Sequence, residues 1–301
     1  TVPEFSAVCL YFARELQSDF LGGQGRVTFR NYWSGGAAIF ATRRGLDDRL
    51  TRGGPMAMSP RGFDLNGWGN TDERKRLWLS FNAGVSDNAA GGWGRSLGLT
   101  FNIKPSDHLT LSTGPDWNRS YGYAQYVRSV DDPTATTTYG GRYVFGGIDQ
   151  WQLTLTTRAN VIFTPHASLQ VFMQPLLATG DYSGFKELAR PRTYDFTRYG
   201  VDAGSLSFDP ITHLYTADPD GDGVAQPFVF RDPDFNFKSL RLNAVFRWEM
   251  KPGSNFYAVW TRQQQDLRYP GDFEPGRDTR ALFGAPGDDI VLFKVSYWLG
   301  R

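Results

Sequence analysis

From Ser239 to Met250 the chain alternates: Leu240, Leu242, Ala244, Phe246, Trp248 and Met250 share one parity, and Arg241, Asn243, Arg247 and Glu249 share the other. A period of two belongs to a β-strand with unlike faces, here one apolar and aromatic and one ionic. Residues 77–85 repeat the pattern, with Leu77, Leu79, Phe81, Ala83 and Val85 against Trp78, Ser80, Asn82 and Gly84. Over 151–163 the apolar parity runs Trp151, Leu153, Leu155, Thr157, Ala159, Val161, Phe163, opposed by Gln152, Thr154, Thr156, Arg158 and Asn160. That run outlasts most strands of soluble proteins. Faces that differ so consistently meet two solvents, and lipid outside with water inside a barrel supplies both.

The connections alternate as well. Lys104-Pro-Ser-Asp107, Thr164-Pro-His-Ala167 and Lys251-Pro-Gly-Ser254 carry turn formers and read as tight turns. Between them lie longer excursions, from Asp131 to Gly141, Asp181 to Phe237 and Tyr269 to Asp288. Short turns at one rim and long loops at the other predict strands near 7–19, 24–43, 54–66, 74–86, 93–103, 107–128, 140–163, 168–181, 238–250, 255–268 and 288–299. The expected fold is all-β: a transmembrane antiparallel up-and-down β-barrel of about 10–14 strands. Residues 1–301 form one outer-membrane β-barrel domain in this reading, with a long extracellular loop at about 181–237 and a periplasmic C-terminus. Such barrels have even strand numbers. The odd count predicts a chain truncated or processed at its N-terminus, or a miscount there.

Composition narrows the class. No run of 18 apolar residues offers a membrane helix. With 32 Lys plus Arg against 31 Asp plus Glu, charge points to neither a nucleic-acid groove nor a funnel for acidic substrates. The partners expected are outer-membrane lipid and a protein at the extracellular loops, with no nucleic acid. The 34 glycines and 15% aromatic content suit amphipathic strands joined by glycine-rich loops. The single cysteine, Cys9, reads as a buried or incidental thiol. No signal-peptide pattern opens the chain, so any such segment is removed or lies outside it.

Several segments together resemble a bacterial family of uncharacterised outer-membrane β-barrels, a domain of unknown function often preceded by a carbohydrate-binding-like β-sandwich. They are "LTRGGPMAMSP" at 50–60, "TDERK" at 71–75, "QYVRSVDDPTATTTYGGRYVFGGID" at 125–149, "TPHASLQVFMQPLLATGDYSGFKELARPR" at 164–192, "DPDFNFKSLRLNAVFRWEMKPGSNFYAVWT" at 232–261 and "VLFKVSYWL" at 291–299. The resemblance runs from about residue 20 to the end, leaves out 1–14 and the sandwich, and implies the C-terminal barrel part of such a protein. It brings no catalytic or ligand residue with it. The final strand, Ile290 to Leu299, also resembles the aromatic-ended strand read by the barrel-assembly machinery, although Gly300 and Arg301 follow it.

Candidate chemistry is sparse. Asp218, Asp220 and Asp222, followed by Gly223, have the spacing of a calcium loop, whereas the twelfth position is Val229 rather than glutamate. Asp232 or Asp234 would have to complete the site, and a solvated Asp-Pro-Gly turn is the alternative. His108 and His166 fall at tight turns and His213 in a long loop, with no nucleophile placed beside any of them, so no enzyme is expected. Trp33, Trp68, Trp93, Trp117, Trp151, Trp248, Trp260 and Trp298 are expected in interfacial girdles. The lumen-lining candidates are Arg158, Asn160, Arg241, Asn243, Arg247, Glu249 and Lys294, together with Gln152, Gln170 and Gln174. These groups either line water or pair across the interior as a filling network. The function expected is a channel or uptake component for a polar solute, with a structural, assembly or partner-docking barrel as the alternative.

Overall fold

The computed structural model describes residues 20–299. Chain order is β1 (Phe20–Thr28), β2 (Ser34–Thr42), β3 (Gly45–Asp47), β4 (Ala57–Ser59), β5 (Gly62–Asn70), β6 (Leu77–Asn88), β7 (Trp93–Ser106), β8 (Leu109–Asp131), β9 (Gly141–Thr164) and β10 (Ala167–Leu188). There follow β11 (Phe196–Arg198), β12 (Ser205–Asp209), β13 (Leu214–Asp218), β14 (Phe228–Arg231), β15 (Phe235–Lys251), β16 (Ser254–Asp266), the helix α1 (Pro275–Gly284) and β17 (Gly287–Ser296).

The large sheet is an antiparallel meander in the order β1-β2-β5-β6-β7-β8-β9-β10-β15-β16-β17, with β11 paired to the end of β10. The fold is thus the all-β, up-and-down barrel type expected, although no pairing joins β1 to β17 among the described residues. Both edge strands run the same way, so an antiparallel closure requires a strand opposed to both. The strand expected at 7–19, and Cys9 with it, lies outside the described residues.

Two-residue turns at Asp107–His108, Pro165–His166 and Pro252–Gly253 mark the lower rim, and the long connections 43–61, 132–140, 189–234 and 267–286 mark the upper. In the last of the tight turns proline fixes the first central position and Gly253 takes φ +77, the type II arrangement. Two strand expectations are corrected. Residues 24–43 form a hairpin rather than one strand, because Asn31 accepts the Trp33 N–H at 3.2 Å and Tyr32 adopts φ 64, reversing the chain without glycine or proline. Residues 54–66 divide between β4 and β5.

β8, β9 and β10 run 23, 24 and 22 residues, about twice what a bilayer needs, so their upper halves stand clear of the wall proper. There the connection expected as a loop at 181–237 is largely folded. β10 continues to Leu188, and β12, β13 and β14 make a separate three-stranded sheet. That small sheet packs on Val144 and Phe185 through Ala217 and Phe230, and Tyr199 of the connection before β12 joins the same cluster. A second cluster joins Ala57 of the β2–β5 connection to Phe145 and Leu188. The excursion at 269–288 holds α1, whose Leu282 packs on Leu177 and Leu240.

Replacing Gly253 by alanine is expected to lower stability by about 1 kcal/mol, since a Cβ at positive φ is strained and would also sit 3.0 Å from the Trp298 Cβ. Urea unfolding in detergent micelles measures this, and an unchanged midpoint would contradict the turn geometry.

Candidate functional site

Residues opposite one another in an antiparallel pair share a face, so the register carries parity from strand to strand. Leu97 pairs with Ala83 and Trp117, Trp117 with Leu153, and Leu153 with Leu177. One face therefore bears Leu77, Phe81, Leu97, Phe101, Leu155, Phe163, Trp248, Trp260, Phe293 and Val295, all strongly exposed. The opposite face is polar. Its rows run across the wall: Asn102, Ser112, Arg158, Phe172 and Asn243 form one, and Ser168, Arg247, Tyr257 and Lys294 another.

All seven expected lumen residues fall on this second face, and the register gathers them on β9, β15 and β17 within a patch of neighbouring strands. Arg158, Asn160, Arg241, Asn243, Arg247 and Lys294 are exposed, and Glu249 is half-buried at the lower rim. The hydrogen bonds these side chains and their neighbours make reach only the adjoining strand. Arg247 Nε donates to Asn255 Oδ1 at 3.1 Å, Gln174 Nε2 to Thr156 Oγ1 at 3.1 Å, and Asn102 Nδ2 to Ser80 Oγ at 3.2 Å. His166 Nδ1 lies 3.5 Å from Glu249 Oε2. Phe172 belongs to the site although alternation alone did not single it out. Its place between Gln170 and Gln174 on the polar parity was the signal, and Arg158 lies over its ring at 5.3 Å.

The tryptophans divide. Trp117 and Trp151 meet edge to face at 6.0 Å on the apolar side, with Arg119 over Trp151 at 4.3 Å. Trp68, expected in a girdle, is on the polar parity between Asn66 and Asn70. It covers Gly36, where a Cβ would come within 2.5 Å of the ring.

At the calcium-like loop Asp218 Oδ1 accepts the Gly221 N–H at 2.9 Å and Asp220 Oδ2 accepts the Ala225 N–H at 3.0 Å. Both carboxylates thus turn back on their own loop, and among the described residues no group of three His, Cys, Asp or Glu side chains gathers to hold a metal. His213 sits at φ 54 beside the Phe208 ring. The nearby Asp209 binds the Ile211 amide and the Thr212 hydroxyl instead.

The folded connection above the wall is fastened by polar contacts as well. Arg128 donates to the Val229 carbonyl at 2.9 Å, and Asp234 accepts the Tyr182 N–H at 2.7 Å. Burial pushes the Asp234 carboxyl up to about 6, the charges of Asp232 and Asp181 add to this, and the Tyr182 amide opposes it.

A family described as a domain of unknown function matches residues 9–300. The chain belongs to the DUF5916 family. The DUF5916 match begins at residue 9 and so takes in part of the 1–14 segment that the resemblance had left out. No curated protein matches the chain. Among solved structures, a copper transporter, OprC, is similar with a TM-score of 0.46 and 12% identity, over 92% of this chain and 40% of the transporter. The DUF5916 chain thus spans less than half the length of that protein.

A carboxyl whose value is raised in the fold stabilises it while protonated. For Asp234 that contribution is present below about 3.8 and lost as pH rises through about 6. Limited proteolysis of the 189–234 segment should therefore slow on acidification from pH 7 to pH 5, and Asp234→Asn should remove that dependence. An equal pH effect in the variant would refute the assignment.

Proposed function

We propose that this chain forms the wall of a bacterial outer-membrane barrel that admits a polar solute, as a channel or uptake component. The contrast between the two faces carries the reading. From Trp151 to Phe163 the outward positions of β9 hold no charge, and the same is true of Leu97 to Ile103 on β7 and Val291 to Val295 on β17. The twelve steps from Trp151 to Phe163 cover about 40 Å of strand, or roughly 30 Å of height at the tilt usual for such barrels. That is about the hydrocarbon thickness of a bilayer. The inner positions over the same span are Gln152, Thr154, Thr156, Arg158, Asn160 and Ile162, mostly polar, and all but the buried Thr154 are partly or fully exposed. Side chains that bond only along the wall leave the space between opposite walls to solvent.

In planar bilayers the purified protein is expected to conduct; a silent barrel would refute passage. Leu155→Arg should cost about 2–4 kcal/mol of stability in a bilayer and Thr156→Arg, one residue along and facing inward, far less. Equal losses at the two positions would refute the lipid-facing assignment.

A second reading, a docking barrel, draws on the β12–β14 sheet and its neighbouring loops, where Ile211, Val224 and Val201 are 89%, 78% and 69% exposed. Excising residues 205–231 decides between the two. Higher conductance marks the sheet as a cover over the passage, whereas unchanged conductance with loss of a bound partner marks it as a docking module.

A further inference from the structure

Two cavities lie end to end on the polar face. The larger, about 460 Å³, is lined by Ser112, Arg158, Asn160, Gln170, Phe172 and Asn243 among others. The smaller, about 300 Å³, shares Asn160 and Gln170 with it and reaches Arg247, Glu249 and His166 at the lower rim. Together they make one groove down the wall formed by β8, β9, β10 and β15.

The chemistry of this groove is one-sided. Its upper cavity offers a guanidinium, three amides and hydroxyls, and no carboxylate lines it. Arg241 lies one inward position above Asn243 on β15, and Lys294 shares the row of Arg247 through Tyr257. Among the described residues no carboxylate stands within ion-pair distance of Arg158, Arg241 or Lys294. The inward carboxylates Asp64 and Asp116 belong to β5 and β8, and Asp288 to the upper end of β17. A guanidinium without a counter-charge, flanked by amide donors, is complementary to an oxyanion, which it can hold by two parallel N–H bonds.

We infer that this groove is an oxyanion-binding track, suited to a small carboxylate- or phosphate-bearing solute. The inference rests on the water-filled barrel described above and names the class of solute that barrel would take. Arg241 and Arg158 meet the anion first, Asn160 and Gln170 bridge the gap, and Arg247 with Lys294 receive it below. Glu249 places a negative charge at the lower exit, where repulsion favours release, as conduction requires of a binding path.

The test uses the protein in detergent and three probes: citrate, inorganic phosphate and glucose. Calorimetry should show an oxyanion binding and glucose not, the tighter of citrate and phosphate identifying which oxyanion the groove prefers. Arg158→Gln and Arg247→Gln should each weaken binding by roughly tenfold. Arg95→Gln, on the outer face of β7 where Arg95 pairs with Asp87 at 3.1 Å, should leave it unchanged. In planar bilayers under a potassium chloride gradient, the reversal potential should favour chloride, less so in Arg158→Gln. Oxyanion binding no tighter than glucose, or an equal loss in Arg95→Gln, overturns the inference, and the wild-type comparison holds even if a variant fails to fold. A barrel that binds citrate but passes no current overturns the uptake reading and leaves the track standing. One that conducts but prefers potassium and ignores both oxyanions overturns the track and leaves uptake standing.

Discussion

The wall depends on backbone hydrogen bonds running in regular register from strand to strand. A peptide group without a partner costs several kcal/mol in hydrocarbon, which is why only helices and closed sheets are stable across a bilayer. In this sheet the register shifts fall at the ends of strands, at Ile103/Ser106, Ala167/Ser168 and Glu249/Lys251 beside the lower turns, and at 122–128 and 183–186 high on β8 and β10. Pro115 and Pro175 lack an N–H in mid-wall, yet the register resumes unchanged on either side of each. Face chemistry follows from this regularity. A slip of one residue would turn every arginine of the inner face toward the apolar side.

That dependence explains what was legible in the sequence. Period-two alternation is a property of the strand itself, so Leu240 to Met250 and Trp151 to Phe163 disclosed their two faces without any tertiary information. Two of the three tight turns carry proline and fall where expected, whereas the one expected at Lys104–Asp107 falls at Asp107–His108, with Pro105 inside β7. The shared polar face of Arg158, Arg241 and Arg247 was legible for the same reason, because polarity on a strand of fixed parity places a side chain on one side of the wall.

Other features were set by contacts distant in sequence. The hairpin at 29–33 turns on Asn31 and Tyr32, with no proline or glycine to announce it. α1 is short, and only Leu282 and Asp278 are buried along it. Its place depends on Leu177 and Leu240 from strands far away, and on the Asn236 amide that donates to Asp278 at 3.2 Å. Lys238 is similar: it occupies an apolar parity, yet is fully buried under this cover and paired with Asp266 at 2.9 Å. Such a residue reads from sequence as a flaw in the alternation, and only the packing turns it into part of a polar cluster. Trp68 was misplaced because aromatic character suggested an interface, while its parity between Asn66 and Asn70 pointed inward.

The strands β8, β9 and β10 continue upward past the regular wall to carry the β12–β14 sheet, which rests on Val127, Val144 and Phe185 of those three strands. β8 breaks register at 122–128 and β10 at 183–186, where Gly184 takes φ +57. Bulges of this kind locally bend and twist a strand. The breaks fall at one height on either side of β9, so the regular ladder of the wall ends along one line and the small sheet rests on the bent strand ends above it.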